Sequence, residues 1–251
     1  MGRWLERKTD VNVVVTENYE EMSVAAANVI AEQLKAKPDS VLGLATGTTP
    51  IGLYAELVRA CDAGEISFAN AQSFNLDEYR GLPGTHDQSY RYFMQDNLFD
   101  HVDIDVEKTH VPDGSMEDAQ AACDAYEHAI AQAGGVDLQL LGLGHTGHIG
   151  FNEPCDSFPV TTHCVELTES TIQANSRLFD SADEVPREAY TMGIGTIMKA
   201  RKILLVVNGA GKAEIVRDVL RGPVVPQVPA SILQLHPDVT VVLDKEAAAA
   251  L

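Results

Sequence analysis

The stretch "SVLGLATGTTPIGLYAELVRACDAG", residues 40–64, carries the alternation that predicts the fold class. Its first part, "SVLGLA" (40–45), is short and almost continuously apolar, which is typical of a fully buried strand. The last part, "IGLYAELVRACDAG" (51–64), has apolar residues at helical spacing and closes on Gly64. The two parts together predict a strand followed directly by a helix.

The same alternation extends through the chain in both directions. Further strands are predicted at "VNVVVT" (11–16), "AQSFNL" (71–76), "VDLQLLGL" (136–143), "AYTMGI" (189–194), "KILLVVNG" (202–209) and "VTVVLD" (239–244). Further helices are predicted at residues 19–36, 88–99 and 115–135, the last opening on a capping-like Ser115-x-x-Asp118. Apolar strands that alternate with helices predict an α/β fold with a mostly parallel sheet covered on both faces.

The pattern has no internal repeat and no composition break that would mark a linker. We therefore expect one domain over residues 1–251, with residues 1–10 as an unassigned extension. The last segment, "DKEAAAAL" (244–251), is expected to be a helix end or frayed.

The charge balance limits the class of partner. The 251 residues include 37 acidic and 18 basic side chains, for a formal net charge of −19. Such a chain repels nucleic acid and anionic membranes, and no Lys/Arg cluster reverses this locally. We expect a small-molecule ligand, and an anionic one must be held by a few placed cations or backbone N–H groups. The sequence leaves a homo-oligomer open.

Other bulk features point to the cytoplasm. The N-terminal segment has no apolar core of signal-peptide length, and no later run approaches about 18 apolar residues. The four cysteines are widely spaced without a C-x-x-C pair, which favours free thiols in a reducing compartment. We therefore predict a cytoplasmic protein.

Ligands of parallel α/β sheets bind beyond the carboxyl ends of the strands, near a switch in strand order. Four loops there carry polar residues: 45–50, 76–90, 142–154 and 208–212. In the first, Pro50 suits the first helical turn and Gly47 allows close backbone approach, so the helix N-terminus could hold a phosphate. Thr46, Thr48 and Thr49 could add hydroxyl donors, or one of them could simply cap the helix.

Two isolated cations are weaker candidates. "NGAGKAE" (208–214) also joins a strand to a helix, but it fails the phosphate-loop pattern because Val206 and Ala213 replace the required Gly and Ser/Thr. Lys212 is then either an anion ligand or a solvated side chain. Arg177 in "ANSRLF" (174–179) has a similarly weak individual signal.

"FNLDEYRGL" (74–82) places two adjacent carboxylates, Asp77 and Glu78, at a strand end. Two adjacent carboxylates repel each other, so this pair is expected either to have a binding partner or to serve a function. Asp77 is either a helix N-cap or a general base whose pKa is tuned by its surroundings.

"LLGLGHTGHIGFNEP" (140–154) allows three interpretations. Gly142, Gly144 and Gly147 spell G-x-G-x-x-G, but a dinucleotide site needs a helix that begins within the turn, and Pro154 opposes one. This makes a nicotinamide cofactor a remote alternative.

The second interpretation takes His145, His148 and Glu153 as metal ligands, although H-x-x-H lacks the i, i+4 spacing of a helical zinc site. The third places His148 and Glu153 on an extended loop as proton-transfer groups. A merely hydrogen-bonded histidine is the structural alternative.

Five motifs taken together are specific. "LGLATGTTPIGLYAELV", "FNLDEYRGL", "GLGHTGHIGFNEP", "NSRLF" and "SILQLHP" follow one another with regular spacing. Over residues 12–244 the chain resembles the glucosamine-6-phosphate deaminase/isomerase family. The resemblance implies a Rossmann-like three-layer α/β/α fold and a reaction without cofactor or metal, in which glucosamine 6-phosphate and water become fructose 6-phosphate and ammonia.

The resemblance also implies roles for residues. Asp77 matches the base that acts on C2, and His148 with Glu153 matches the groups that assist opening of the sugar ring. The phosphate-binding positions are Thr46, Gly47, Thr48, Thr49, Arg177 and Lys212. A carboxylate at a strand end suits enolisation, and histidine suits proton transfer near neutral pH.

Two positions depart from the family pattern. Thr146 stands where the family has Asp or Asn before Gly-His, so the acid partner of His148 would be Glu153 alone. The stretch "CDSFPVTTHCVEL" (155–167) lacks the basic residues through which some members are activated, so we expect no activation by an N-acetylated sugar phosphate. The remaining alternatives are another sugar-phosphate enzyme, such as a different hexosamine phosphate enzyme or a phosphogluconolactone hydrolase, and a non-catalytic sugar-phosphate sensor.

Overall fold

A parallel sheet and a small antiparallel sheet organise the chain in a computed structural model that describes residues 11–168, 172, 179 and 184–251. The strands are β1 (Asn12–Thr16), β2 (Val41–Leu44), β3 (Gln72–Asn75), β4 (Asp77–Tyr79), β5 (Thr109–His110), β6 (Leu138–Leu141), β7 (His163–Glu166), β8 (Glu188–Thr191), β9 (Lys202–Val207) and β10 (Val239–Asp244). The helices are α1 (Tyr19–Ala36), α2 (Ile51–Asp62), α3 (Tyr90–Asn97), α4 (Ala119–Gln132), α5 (Ile194–Met198) and α6 (Ala213–Arg221).

Seven strands form the main sheet in the order β1-β10-β9-β6-β2-β3-β5, with every neighbouring pair parallel. All residues of β2 and β6 are buried. Because successive side chains of a strand point to opposite faces, this burial requires cover on both faces of the sheet. The predicted three-layer α/β/α architecture is therefore confirmed.

The order of the strands places a switch point between β2 and β6. Within the main sheet, the strand that follows β2 is β3 on one side. The next main-sheet strand after β6 is β9 on the other side, reached after β7 and β8 of the second sheet. Loops that leave the carboxyl ends of two such strands diverge and open a crevice between them. These are the loops at residues 45–50 and 142–154, so the topology brings two of the predicted site loops together.

The predicted strand at residues 189–194 is only partly correct. The strand is β8, and it lies in a separate antiparallel sheet of order β4-β8-β7 instead of the parallel sheet. Ile194 already begins α5. In this small sheet Asp77 pairs with Thr191, so the second sheet fixes the backbone of the candidate base.

Helix caps also differ from the sequence expectation. The residue that caps α4 is Asp118, whose carboxylate accepts from the amide of Ala121. Ser115, predicted to open this helix, instead donates its hydroxyl to Asp113. The C-terminal segment is a series of turns in which Ala247 is buried and donates its amide to Asp244, so it is not a helix end and is not frayed.

The four cysteines are free thiols, as predicted. Within the described part of the chain, no helix combines the length and the apolar character that a membrane span needs.

Candidate active site

A cavity of about 540 Å³ opens at the switch point. Its wall combines the loops after β2 and β6, the end of β3, the start of α3 and the turn after β9. Of the predicted site residues, those on this wall are Thr46, Gly47, Thr48, Thr49, Asp77, His148 and Lys212. Glu153 and Thr146 lie directly behind His148, and Arg177 lies outside the described residues.

Asp77 is the buried carboxylate of the cavity. Its side chain is 8% exposed, and its Oδ1 has no hydrogen-bond partner among the described residues. Burial raises the pKa of Asp77 to about 7, against opposing effects of the Thr191 hydroxyl, the Phe151 amide and His148. A carboxylate with a pKa near neutrality on the wall of a cavity is suited to accept a proton from carbon.

The adjacent carboxylate has a different task. Glu78 is buried and accepts from the backbone amides of Tyr79 at 2.8 Å, Tyr90 at 3.0 Å and Arg91 at 2.9 Å. The last two amides belong to the first turn of α3, where unpaired N–H groups favour an anion. Asp77 is not the N-cap of α3, because that residue is Ser89, and Glu78 adds acceptors for two further amides of the first turn. Asp77 is therefore available for chemistry.

His148 and Glu153 form the predicted acid–histidine pair. Nδ1 of His148 lies 2.8 Å from Oε1 of Glu153, and both side chains are 27% exposed. Burial by itself would raise the pKa of Glu153, but the hydrogen bond and charge of His148 and the hydroxyl of Thr146 hold it below its usual value.

Thr146 completes this group. Its hydroxyl donates to Oε2 of Glu153 at 2.7 Å and lies 2.9 Å from Nδ1 of His148. A hydroxyl that donates to Glu153 has only lone pairs left for the imidazole, so Nδ1 carries a proton and is shared between two acceptors. Thr146 thus orients the ring without adding a carboxylate, and within the part of the chain that the structure describes Glu153 is the acid paired with His148.

The glycine at position 144 of this loop leaves room for the imidazole ring of His148. A methyl group at Gly144 would lie 2.0 Å from Nε2 of His148, so the ring occupies the space that only glycine leaves. No helix begins in the loop that follows β6 up to residue 162, so the geometry of a dinucleotide fingerprint is absent there. Among the described residues, no three His, Cys, Asp or Glu side chains gather as metal ligands.

The loop after β2 is shaped for an anion. Gly47 has φ of +101°, a conformation that glycine adopts readily. None of the three threonines caps α2, because the helix is preceded by Pro50 without a side-chain cap, and Thr49 donates its hydroxyl to Asn208 at 2.7 Å. The simple N-cap alternative is therefore wrong, and the hydroxyls of Thr46 and Thr48 border the cavity.

Lys212 approaches the same loop from the opposite wall. Its Nζ donates to the carbonyl of Leu143 at 2.7 Å, which holds the ammonium at the cavity instead of in bulk solvent. Burial lowers the pKa of Lys212 from its usual value. A cation, a glycine turn and threonine hydroxyls together provide a site for a phosphate.

Four wall residues were missed or set aside at the level of sequence: Tyr90, Phe151, Asn208 and His145. Tyr90 and Phe151 stack with ring centroids 6.1 Å apart and give the cavity an apolar side. Each lies beside a motif, Tyr90 at the start of α3 and Phe151 next to Gly150, but neither has a spacing that marks it as functional.

Known proteins are similar to this chain over nearly its whole length. The profile of the family described as glucosamine-6-phosphate isomerases/6-phosphogluconolactonase matches residues 16–242. A glucosamine-6-phosphate deaminase of Thermoanaerobacter pseudethanolicus is 54% identical over 238 residues, which cover 95% of this chain and 94% of the relative. One of Halothermothrix orenii is 54% identical over 241 residues, with coverage of 96% and 100%.

Two solved structures are similar to this chain, one in sequence and fold and one in fold alone. A monomeric glucosamine-6-phosphate deaminase superimposes with a TM-score of 0.92 at 47% identity, covering 96% of this chain and 100% of that chain. A 6-phosphogluconolactonase of Trypanosoma brucei superimposes with a TM-score of 0.73 at 22% identity, covering 96% and 99%. The second likeness shows a shared fold only.

Proposed function

This chain belongs to the family of glucosamine-6-phosphate isomerases and 6-phosphogluconolactonases, and within it we propose that the chain is an enzyme that converts glucosamine 6-phosphate and water to fructose 6-phosphate and ammonia. The observation that carries the proposal is the meeting of Asp77 and the His148–Glu153 pair in one cavity with the anion loop. The deaminases that are 54% identical over nearly the whole chain support the choice of reaction.

The phosphate group fixes the substrate at one end of the cavity. Lys212, the glycine turn at Gly47 and the hydroxyls of Thr46 and Thr48 hold it, and Arg177 joins them as a proposed ligand by resemblance. Thr49 supports the loop through Asn208. This anchoring brings the sugar ring toward Asp77 and His148, so that the reaction becomes effectively unimolecular.

Ring opening is the first step that we assign. With its Nδ1 proton held by Glu153 and Thr146, His148 has Nε2 free to move a proton between the anomeric hydroxyl and the ring oxygen. The carboxylate of Glu153 stabilises the imidazolium that forms transiently.

Isomerisation and deamination follow. Asp77 removes the proton from C2 of the open-chain aldehyde, and the electron pair forms a C1–C2 double bond while the carbonyl electron pair moves to the C1 oxygen. That oxygen takes a proton from the substrate's own C2 ammonium group, which leaves an enol with a neutral amine on C2. Return of the proton to C1 gives a ketone-level imine at C2, and water adds there, so that the C–N bond breaks and ammonia leaves. The burial of Asp77, which brings its pKa to about 7, allows one carboxyl group to take and return the proton at neutral pH.

We also propose a cellular setting. The reaction belongs to the breakdown of amino sugars, including those derived from N-acetylglucosamine, and its net chemistry is hydrolysis of a C–N bond. Four free thiols support a reducing compartment, the cytoplasm.

A choice between two substrates tests the proposal within the family. The purified chain is given glucosamine 6-phosphate or 6-phosphogluconolactone, with no added cofactor. We expect fructose 6-phosphate and ammonia from the first and no acceleration of hydrolysis of the second. Rapid hydrolysis of the lactone without release of ammonia would reject the deaminase in favour of the lactonase alternative.

A further inference from the structure

His145 lies on the cavity wall but has no part in the steps above. It is the first histidine of the H-x-x-H motif, whose second histidine, His148, has the proposed proton-transfer role. Its side chain is exposed, and its ring lies beside Gly211, where an added methyl group would meet Cε1 at 3.8 Å. It therefore stands at the turn that carries Lys212, at the phosphate end of the cavity.

The negative charge of the expected phosphate ligand favours a second cation beside Lys212, and a protonated His145 can provide it. A phosphate monoester carries nearly two negative charges at neutral pH, since its second pKa is about 6. Among the described residues that line the cavity, Lys212 is the one Lys or Arg side chain, and the whole chain has a net charge of −19. A protonated imidazole beside Lys212 adds a second positive charge to the described wall.

The groups that face His145 make its charge depend on the ligand. The charge of Lys212 lowers the pKa of His145 most, followed by burial and by the charge of His148, while the backbone of Gly211 acts in the opposite direction. A phosphate dianion beside Lys212 cancels this repulsion and adds an attraction of its own. Binding of phosphate then raises the pKa of His145, so that a proton is taken up with the ligand.

We propose that His145 is a ligand of the substrate's phosphate group and acts together with Lys212. This inference rests on the proposed function for the identity of the ligand, but inorganic phosphate is enough to test it. Its consequence is that phosphate esters bind more tightly at pH 6.5 than at pH 8.5, over and above the titration of the ester itself.

Two measurements with inorganic phosphate and fructose 6-phosphate test the proposal. The imidazole carbon-bound protons are followed by NMR from pH 5.5 to 9 without and with saturating inorganic phosphate, and the His145 resonance is assigned by its loss in His145→Gln. Binding of fructose 6-phosphate is then measured by calorimetry at pH 6.5 and 8.5 for the wild type and His145→Gln. His128→Gln, at an exposed position on α4, is the matched control.

We expect phosphate to move the His145 titration to higher pH. We also expect His145→Gln to weaken fructose 6-phosphate binding about threefold to fivefold at pH 6.5 and hardly at pH 8.5, as for an exposed ion pair. His128→Gln should bind as the wild type does. A His145 titration that phosphate does not move, or equal affinity of His145→Gln and wild type at pH 6.5, would overturn the assignment.

The proposed deaminase function can be refuted independently of the phosphate-ligand role of His145. If the wild type binds inorganic phosphate and shifts His145 but releases no ammonia from glucosamine 6-phosphate, the phosphate site stands and the deaminase assignment is wrong.

Discussion

Replacing Thr146 by valine tests the hydroxyl that distinguishes this catalytic group. The two side chains have nearly the same shape, so the change removes one donor and one acceptor with little change in volume. The lost contacts are the 2.7 Å bond to Glu153 and the 2.9 Å contact with Nδ1 of His148. What remains is the direct His148–Glu153 bond at 2.8 Å.

The expected loss follows from the exposure of the partners. A hydrogen bond to a charged group contributes about 1.5–3 kcal/mol when it is fully desolvated. His148 and Glu153 are each 27% exposed, so we reduce the value for the pair of contacts to about 1.5 kcal/mol. That free energy corresponds to a decrease of roughly tenfold in kcat/KM. Thermal stability should hardly change, because Thr146 is exposed.

The assay measures ammonia and fructose 6-phosphate from glucosamine 6-phosphate over a range of substrate concentrations. Thr146→Ser is the matched control, because it keeps the hydroxyl and loses only the methyl group, and it should retain most of the wild-type kcat/KM. If Thr146→Val stays within twofold of the wild type, or if Thr146→Ser falls as far as Thr146→Val, the hydroxyl does not orient His148.

Three further predictions concern stability and regulation. The free energy of unfolding of Asp77→Asn relative to the wild type should rise by about 2.5–3 kcal/mol between pH 5 and pH 8, because burial raises the folded-state pKa of Asp77 to about 7 and folding of the wild type must bury an increasingly ionised carboxylate as the pH rises. Denaturant unfolding measures this difference, and a constant difference across the range would contradict the prediction. Glu78→Ala should lower the free energy of unfolding by about 2–3 kcal/mol, because it leaves amides in the first turn of α3 unpaired. Glu78→Gln keeps an acceptor for these amides and should lower the free energy of unfolding by less. Equal unfolding midpoints for the two variants would refute this role of Glu78. N-acetylglucosamine 6-phosphate should leave the deaminase rate unchanged, and a severalfold increase in an initial-rate assay would show an activation site that the stretch at residues 155–167 does not reveal.

The main sheet and the position of the site follow from local sequence signals. Runs such as residues 40–45 and 202–207 are apolar on both faces, which requires a covered parallel strand, and the loops that follow such strands must meet at one edge. Asp77, His148 and Lys212 each lie in a segment that follows the carboxyl end of a strand of this sheet, which is why the sequence points to them.

The second sheet has no comparable signal. Its strand β4 is only Asp77–Tyr79, with two acids in three residues, and it is a strand only because β8 pairs with it across more than 100 residues. The different roles of Asp77 and Glu78 could not be predicted from the sequence for the same reason. The first turn of α3, whose amides bind Glu78, approaches that side chain only in the folded chain. Thr146 could be recognised as a departure, but its bridge between His148 and Glu153 required the folded loop.

Asp77 is proposed to be the base of a deaminating isomerisation that needs no cofactor. The most direct test measures ammonia and fructose 6-phosphate in the same sample after incubation with glucosamine 6-phosphate, for the wild type and for Asp77→Asn. We predict equal amounts of the two products from the wild type, and from Asp77→Asn a kcat at least about 100-fold lower with binding of fructose 6-phosphate retained. Absence of either product from the wild type, or wild-type turnover by Asp77→Asn, would contradict the claim.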